Sequence, residues 1–496
     1  MKGGLLGELL TQHHGATPHE LPQDLRDLMV RLEETLTTSQ EPTPSPLPPV
    51  SHPESAHTPK GRSKLCKIAL SNAGFRPMEC EGGRPSVRHH KPRRSGSRRV
   101  SHLARDAKFR FGIEEEYFLA DARSLRVVRE SPAELFDHAH GRAAPRIHRE
   151  FLQSQLEVAT RPHVSTADAQ LDLVQLRRSA AEAAAEHDLV IMAAGTHPMA
   201  RWREAVRSPQ ERYQAMMEAL QMIGQRNMLC GMHVHVECPD PRRRVDIMRR
   251  MTPYVPLLLA LSTSSPFWEA RCTGLKGYRL AAYDELPRTG LPEPFRTTKQ
   301  YDAYVAALVR SGVMQDSSHV WWAMRPSSKY PTLELRAPDC CTRVEDALAI
   351  AALYRVLVRH LCLNPEHNSD LGVVGRALAV ENKWRAQRYG VQGTFVTEGG
   401  ALPVGEMLQR LSEKIWPDAE VLDCVSQIEH CIRIVGIGTS ADAQLDVFNR
   451  NQHQGVDAAL QASTRWIVDA SVATPEKKGK PDANTLPSAS ATCGTD

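Results

Sequence analysis

Four stretches of the chain alternate between apolar and polar residues, which is the period of a β-strand with one buried face. Their polar faces carry carboxylate, imidazole, amide and guanidinium groups. These faces hold Glu114 and Glu116 in residues 109–118, Gln153, Gln155 and Glu157 in residues 151–158, His233, His235 and Glu237 in residues 231–237, and Thr332, Glu334 and Arg336 in residues 332–337. A short apolar run at residues 190–194 predicts a fifth, buried strand. Because an antiparallel sheet can bury one face under helices and leave the other open, the pattern predicts such a sheet.

The segments between these strands have the propensity, periodicity and capping residues of helices. Predicted helices cover residues 166–187, 209–227, 245–262 with an interruption near Pro253 and Pro256, 298–311 with Gly312 as the C-terminal cap, 342–362, 371–388, 405–416, 420–435 and 456–469. Capping boxes that begin at Ser208 and Thr342 support two of these helices. Residues 265–295 are predicted to form a long loop, and loops of that length are usually functional or disordered.

Composition divides the 496 residues into three parts. Residues 1–107 are rich in proline and serine and then basic, and they are predicted to be a disordered extension. Residues 108–470 are predicted to form the folded domain, and residues 471–496 a disordered tail. The basic segment 84–99 has no interleaved aromatic residue for stacking on bases, so a solvated linker is favoured over a nucleic-acid arm.

The charge and the cysteines narrow the class of protein further. A net charge of +4 with 41% hydrophobic residues indicates an ordinary globular chain and no particular partner. Eleven cysteines without a CxxC pair suit a reducing compartment, so a cytoplasmic location is expected. The start of the chain lacks the apolar core of a signal peptide, and the most apolar later run, Leu257–Leu261, is far too short to span a membrane.

The polar faces are unusual because they are rich in glutamate and histidine and almost free of lysine. Like charges gathered on one face repel each other, so the arrangement needs cations. Mg²⁺ prefers carboxylate oxygens and leaves coordination positions for phosphates, so the pattern indicates a magnesium–nucleotide site. A zinc-dependent hydrolase that uses His233 and His235 remains an alternative. The chain has no P-loop and no Rossmann glycine fingerprint, so phosphates would be held by metal ions and arginines.

Six ordered motifs resemble a known family. They are Gly112-Ile113-Glu114-Glu115-Glu116, the strand from Gln155 to Glu157, Gly231-Met232-His233-Val234-His235, Ser265-Pro266-Phe267-Trp268-Glu269, Thr332-Leu333-Glu334-Leu335-Arg336 and Glu381-Asn382-Lys383-Trp384-Arg385. Over residues 109–471 the chain resembles the glutamate-cysteine ligase type 2 (YbdK-like) carboxylate-amine ligases. The resemblance implies an α+β fold similar to glutamine synthetase and glutamate-cysteine ligase. In that fold a curved antiparallel sheet has helices on one face and an active-site funnel on the other.

The resemblance also implies a chemistry and a set of roles. ATP would phosphorylate a carboxylate, expected to be the γ-carboxylate of glutamate, and cysteine or another amine would attack the acyl phosphate. The implied roles are magnesium binding for Glu114, Glu116, Glu157, His233 and Glu334, contact with the transferred phosphate for Arg336, substrate binding for Gln155, Tyr278 and Arg279, and nucleotide or substrate binding for Lys383 and Arg385. His235 would be a neighbour of the site. Small molecules are the expected partners, and a homo-oligomer and a non-catalytic nucleic-acid-binding relative stay open.

Two departures from the family accompany the resemblance. The extension to about residue 107 has no counterpart in the family, and it is either a functional arm or an over-extended reading frame. Residues 337–341 differ in detail from the usual sequence after the Glu-Leu-Arg triplet. Neither departure touches the proposed metal ligands.

Overall fold

The structure, a computed structural model, describes residues 107–136 and 146–473. The predictions for residues 1–106 and 474–496 lie outside the described residues. The last helix continues through Val472, two residues beyond the predicted boundary at 470. Ser471 lies in this helix, and its hydroxyl accepts from the amide of Ala193 at 2.9 Å.

Eleven strands lie in the described part of the chain. They are β1 (Phe111–Asp121), β2 (Ile147–Arg149), β3 (Gln155–Ala159), β4 (Leu189–Met192), β5 (Met232–Glu237), β6 (Phe267–Trp268), β7 (Arg271–Cys272), β8 (Met324–Pro326), β9 (Thr332–Leu335), β10 (Thr394–Thr397) and β11 (Gly400–Pro403). Seven of them form one antiparallel sheet in the order β2-β3-β1-β5-β9-β8, with β4 paired to the second half of β1. The pairs β6–β7 and β10–β11 are separate hairpins.

Thirteen α-helices lie wholly within the described residues, and residues 133–136 are also helical. They are α1 (Thr166–Ala185), α2 (Glu211–Leu220), α3 (Met222–Gln225), α4 (Arg244–Met251), α5 (Val255–Ser262), α6 (Tyr278–Tyr283), α7 (Thr298–Arg310), α8 (Val344–Leu363), α9 (Val373–Tyr389), α10 (Val404–Val421), α11 (Val425–Ile437), α12 (Ser440–Asn451) and α13 (Val456–Val472). Short 3-10 turns lie at Trp202–Glu204, Pro241–Arg243, Thr252–Tyr254, Ser317–His319, Gly390–Gln392 and Gln452–Gln454. None of the helices in the described ranges combines the length and the apolar character needed to cross a bilayer.

The core lies on the apolar side of the sheet, where α8 is buried along nearly its whole length. This helix packs on β1 and β5 and contacts α1, α4, α5, α10 and α11. Phe111 and Ile113 of β1 face the core, as their alternation with polar residues predicts. The predicted α+β class, an antiparallel sheet with helices on one face, is therefore confirmed.

One carboxylate breaks the pattern, because Glu115 lies on the buried side of β1. The guanidinium of Arg177 on α1 binds it through Nε–Oε2 at 2.9 Å and Nη2–Oε1 at 2.7 Å. The other three N–H groups of Arg177 donate to the carbonyls of Cys341 at 2.7 Å, Thr342 at 2.6 Å and Ser471 at 3.1 Å. All five donors are thus used, and one buried arginine joins β1, α1, the segment after β9 and α13.

Two predicted capping boxes are wrong. Helix α2 begins only at Glu211, and the hydroxyl of Ser208 donates to the carbonyl of Glu150 instead. Helix α8 has Arg343 at its N-cap and no side-chain cap, and the hydroxyl of Thr342 donates to the carbonyl of Ala193 at 2.8 Å. In both cases the side chain is directed to a tertiary partner rather than to the helix N-terminus.

Other boundaries differ from the prediction in several places. The strand predicted from 151 begins at Gln155, because Gln153 bends away and its amide donates to the carbonyl of Arg207 at 3.1 Å. The predicted loop 265–295 contains β6, β7 and α6. Helix α10 runs through Pro417 to Val421, so the next helix begins at Val425 rather than at 420. The interruption near Pro253 is confirmed as a 3-10 turn.

Candidate active site

Strand register brings the polar side chains together. On β1, Glu114 lies opposite His233 of β5, and Glu116 lies opposite Glu157 of β3. Directly opposed residues of antiparallel strands share one face of the sheet. The four side chains therefore meet on the open face, although their positions span more than a hundred residues of sequence.

On the other side of β5 the face becomes cationic. His235 lies opposite Glu334 of β9, and Glu334 lies opposite Arg325 of β8. The ring of His235 is fixed by a hydrogen bond of 2.9 Å between Nδ1 and the hydroxyl of Thr332. The face thus has an acidic end on β1 and β3 and an arginine end on β9 and β8.

Two overlapping groups of side chains could hold metal ions. In one group, single ligand atoms of Glu114, Glu157 and His233 all lie within 4.8 Å of one another, and in the other those of Glu116, Glu150 and Glu157 do. Glu157 belongs to both groups. The prediction missed Glu150, which follows the three-residue strand β2. Residues 147–150 are Ile-His-Arg-Glu, which do not alternate between apolar and polar, so their pattern does not indicate a strand.

The acidic end is electrostatically unfavourable without a cation. Burial raises the pKa of Glu157 well above its ordinary value, and the charges of Glu114, Glu150 and Glu116 raise it further. Arg336 acts in the opposite direction without offsetting them. A bound cation would remove this repulsion.

The imidazole of His233 fits such a cation. Its Nε2 is buried and has no hydrogen-bond partner within the described residues. This atom lies 3.8 Å from Oε1 of Glu116, and Nδ1 lies 3.7 Å from Oε2 of Glu114. Burial and then Arg336 lower the pKa of His233, which favours the neutral ring that can ligate a metal. One neutral imidazole among carboxylate oxygens fits a hard divalent cation, so the residues present suit Mg²⁺.

The neighbouring His235 has a different environment. Burial lowers its pKa, but hydrogen bonding to Glu114 and the charge of that carboxylate raise it more, so the net shift is upward. Its Nε2 lies 3.5 Å from Oε1 of Glu114. Neither candidate metal group among the described residues includes His235, so a zinc site shared by the two histidines is not favoured.

Both carboxylate oxygens of Glu334 accept hydrogen bonds from arginines. Arg325 binds it through Nε–Oε2 at 2.8 Å and Nη2–Oε1 at 3.1 Å, and Arg336 binds it through Nη1–Oε1 at 2.5 Å. Burial raises the pKa of Glu334, but Arg336 and Arg325 lower it well below its ordinary value. Neither candidate metal group among the described residues includes Glu334, so its metal role remains a prediction. The prediction also missed Arg325, because β8 has only three residues.

Arg336 retains an unused donor. Its Nη2 donates to the hydroxyl of Tyr283 at 3.3 Å, while its Nε is buried without a partner in the described part of the chain. A buried N–H without a partner is costly unless a ligand accepts from it. The arginine end of the face is therefore suited to an anion.

Gln155 and Arg279, two predicted substrate residues, are engaged with backbone groups. The buried amide of Gln155 donates to the carbonyl of Leu229 at 2.8 Å. The buried guanidinium of Arg279 donates from Nη1 to the carbonyls of Arg336 at 3.3 Å and Pro338 at 3.1 Å. Both side chains hold backbone that flanks the site, and their contact with substrate remains a prediction.

The remaining predicted residues lie on other elements. The Tyr278 ring packs 5.5 Å from the Trp268 ring and is half-buried. On α9, Lys383 forms an ion pair with Asp284, which follows α6. Arg385 points elsewhere and donates from Nη2 to the hydroxyl of Thr394 at 2.6 Å. The structure therefore does not bring Lys383 and Arg385 together, and their nucleotide role stays a prediction.

Two solved structures share the fold. A bifunctional glutathione synthetase from Pasteurella multocida superposes with a TM-score of 0.57 at 15% identity over 75% of this chain, which covers 54% of that longer protein. A glutamate–cysteine ligase from Francisella tularensis, determined in complex with AMP, gives a TM-score of 0.54 at 14% identity, covering 74% of this chain and 89% of that one. Similarity at this level of identity establishes the fold alone.

Relatives with higher sequence identity establish more than the fold. A protein of Bradyrhizobium sp. (strain ORS 278) is 56% identical over 369 residues, 74% of this chain and 89% of that protein. A protein of Rhodospirillum rubrum is 42% identical over 381 residues, 74% of this chain and 97% of that protein. Both names give glutamate–cysteine ligase 2 as a provisional activity. Fold, polar face and relatives together define an enzyme of the ligase class that forms C–N bonds between a carboxylate and an amine. The model of glutamate-cysteine ligase family 2 (GCS2) matches residues 110–462, and the chain belongs to that family.

Proposed function

We propose that the protein uses ATP and Mg²⁺ to join a carboxylate to an amine through an acyl phosphate. The acid is glutamate, activated at its γ-carboxylate, and the amine is cysteine or another small amine. The observation that supports this most strongly is the acidic cluster around Glu157 beside the arginine pair at Glu334. Mg²⁺ bound at this cluster would neutralise phosphate charge during transfer.

The acidic end positions the nucleotide phosphates. Glu114, Glu157 and His233 would hold one metal ion, and Glu116, Glu150 and Glu157 could hold a second. Glu114, Glu116 and Glu157 stand on strands of the same sheet and Glu150 directly follows another strand of it, so the backbone ladder rather than a long loop fixes their positions.

Arg336 acts on the transferred phosphoryl group. Glu334 fixes one end of its guanidinium at 2.5 Å, and Tyr283 fixes the other at 3.3 Å. The free Nε–H is then available to an oxygen that gains charge in the transition state. A preorganised donor of this kind costs no reorientation when the reaction occurs.

The chain needs no nucleophilic side chain for this chemistry. A carboxylate is a poor electrophile, and phosphorylation converts one of its oxygens into a leaving group that an amine can displace. Burial raises the pKa values of the Cys230 and Cys340 thiols, near this end of the sheet, well above their ordinary range. Both therefore remain protonated and unreactive.

Hydroxylamine tests the intermediate, because it intercepts an acyl phosphate with little need for the amine site. We expect a glutamyl hydroxamate, formed one-for-one with ADP and only with Mg²⁺ present. Arg336→Ala should lower its formation by on the order of 10²-fold or more, the effect of losing one preorganised charge contact. Arg310→Ala, at an exposed position on α7, is the matched control and should have no effect. AMP and pyrophosphate as products would indicate an acyl-adenylate instead, and no nucleotide cleavage with any carboxylic acid would refute the proposal.

A further inference from the structure

Arg288 is a half-buried arginine with no carboxylate partner among the described residues. Its Nε donates to the carbonyl of His319 at 2.9 Å, and its Cζ lies 5.1 Å from the centre of the Trp321 ring. No hydrogen bond of its two terminal nitrogens is found in the described part of the chain, and neither nitrogen is sealed from solvent. The guanidinium is therefore bound at Nε, while its two terminal nitrogens remain accessible to a ligand.

The backbone of Arg288 is also held in an unusual conformation. Its φ of +60° lies in the left-handed region, which a residue with a side chain rarely adopts. The amide of Trp321 donates to the carbonyl of Arg288 at 2.9 Å, and the amide of Ala323 donates to the carbonyl of Gly290 at 2.8 Å. Such strain persists where the surroundings fix it, and it is concentrated at functional sites.

These bonds place Arg288 beside the arginine end of the polar face. Residues 321–323 lead into β8, whose Arg325 binds Glu334 on that face. Trp322 and Met324 are buried, while Trp321 is only half-buried. Arg325 also donates from Nη1 to the carbonyls of Ser318 at 2.6 Å and Val320 at 3.0 Å, so the segment that holds Arg288 lies beside Arg325.

The chain segment before Arg288 also contacts the arginine end of the polar face. The hydroxyl of Tyr283, five residues before Arg288, accepts a hydrogen bond of 3.3 Å from Nη2 of Arg336. Segment 288–290 lies two strand positions beyond β9, a separation of about 10 Å at the usual strand spacing. The face thus continues from the carboxylates through Arg336 to an open guanidinium at its far edge.

We propose that Arg288, positioned on Trp321, binds a carboxylate of an amino-acid substrate that the reaction leaves unchanged. This inference rests on the proposed function. A guanidinium fork matches a carboxylate through two parallel hydrogen bonds, which a lysine cannot reproduce. The metal-binding residues occupy the opposite end of the face, so the nucleotide phosphates are placed there and the open fork is left for the organic substrate. Either the acid or the amine substrate can supply the carboxylate.

Steady-state kinetics test the assignment. Arg288→Gln should raise the KM for one amino acid by roughly 10- to 100-fold, the range for losing hydrogen bonds between charged groups, and leave the KM for ATP unchanged. Arg288→Lys keeps the charge but not the fork, and it should recover only part of the loss. Arg296→Gln, an exposed arginine nearby in sequence, is the matched control.

Substrates that lack the carboxylate identify its source. If the acid supplies it, the wild-type preference for glutamate over 4-aminobutanoate should collapse in Arg288→Gln, with hydroxylamine as the amine. If the amine supplies it, the preference for cysteine over cysteamine should collapse instead. A rise in the KM for ATP alone, or amino-acid KM values within about two-fold of the Arg296→Gln control, would overturn the inference.

Calorimetry separates this inference from the proposed function. Wild-type protein that binds glutamate without any turnover, with binding lost in Arg288→Gln, would support the subsite and refute the ligase reaction. Turnover that is indifferent to Arg288 would support the reaction and refute the subsite. Protein that neither binds glutamate or cysteine nor turns over would refute both.

Discussion

Substitution by glutamine should affect stability at one of three consecutive glutamates and turnover at the other two. Glu114 and Glu116 face the candidate active site, whereas Glu115 faces the core and binds Arg177. We expect Glu115→Gln to destabilise the fold. We expect Glu114→Gln and Glu116→Gln to leave folding nearly unchanged and to abolish most of the turnover.

The structure sets the size of the effect at Glu115. Its side chain is fully buried, and it accepts two hydrogen bonds from Arg177 and one of 2.5 Å from the hydroxyl of Tyr117. Removing one partner of a buried ion pair costs about 3–5 kcal/mol, because the other charge is left without compensation. Glutamine keeps one acceptor oxygen, so we expect a loss near the lower end, about 3 kcal/mol. That is a large fraction of the roughly 5–15 kcal/mol by which domains are stable.

Urea denaturation followed by circular dichroism measures this loss, and the hydroxamate reaction measures turnover of the same variants. Arg177→Met should cost at least as much as Glu115→Gln, because it also leaves three carbonyls without a donor. The double variant Glu115→Leu/Arg177→Met should lose less stability than the sum of its single variants, since it leaves no isolated charge.

Two outcomes for these variants would contradict the expected roles of Glu114 and Glu115. If Glu115→Gln unfolds within about 1 kcal/mol of the wild type, the buried ion pair is not a major contribution to stability. If Glu114→Gln loses as much stability as Glu115→Gln, the two side chains do not face opposite sides of β1.

Two further predictions concern buried groups near the sheet. His197 donates from Nε2 to the carbonyl of Leu125 at 3.0 Å and accepts at Nδ1 from the amide of Met199 at 3.1 Å, and burial lowers its pKa from 6.5 to about 4. Between these two pKa values the unfolded chain binds more protons than the folded protein. The wild type should therefore lose on the order of 3 kcal/mol of stability relative to His197→Gln as pH falls from about 6.5 to below 4. Parallel pH profiles of the two proteins in urea denaturation would contradict this. Gly231→Ala would place a Cβ 2.0 Å from Nη2 of Arg279, so it should cost about 1–3 kcal/mol through displaced packing, and an unchanged thermal midpoint would show that Arg279 moves freely.

Alternation identified the open face from sequence because side-chain direction in a strand depends only on position. The predicted ligands Glu114, Glu116, Glu157 and His233 do converge in the structure. Their pairing could not be read from the sequence, since register depends on contacts between strands that are far apart along the chain. Family resemblance, rather than pattern, supplied the link between that face and a ligase.

The missed residues share one physical cause. Glu150 and Arg325 belong to segments too short for any period to be detected, and their positions are fixed by neighbours in the sheet. The failed capping boxes show the same effect, because the hydroxyls of Ser208 and Thr342 bind carbonyls distant in sequence. Local propensity is overridden wherever a buried carbonyl needs a donor.

The contacts of Arg177 have a consequence for protein synthesis. Its acceptors come from residues as early as Glu115 and as late as Ser471, so they leave the ribosome at very different times. Until the last helix has emerged, the arginine beneath the central strand lacks one acceptor and cannot be buried without cost. The side of the sheet opposite the carboxylates is therefore completed only after residue 471 has emerged, and a nascent chain that stalls before that residue would hold a guanidinium with one N–H group lacking its acceptor.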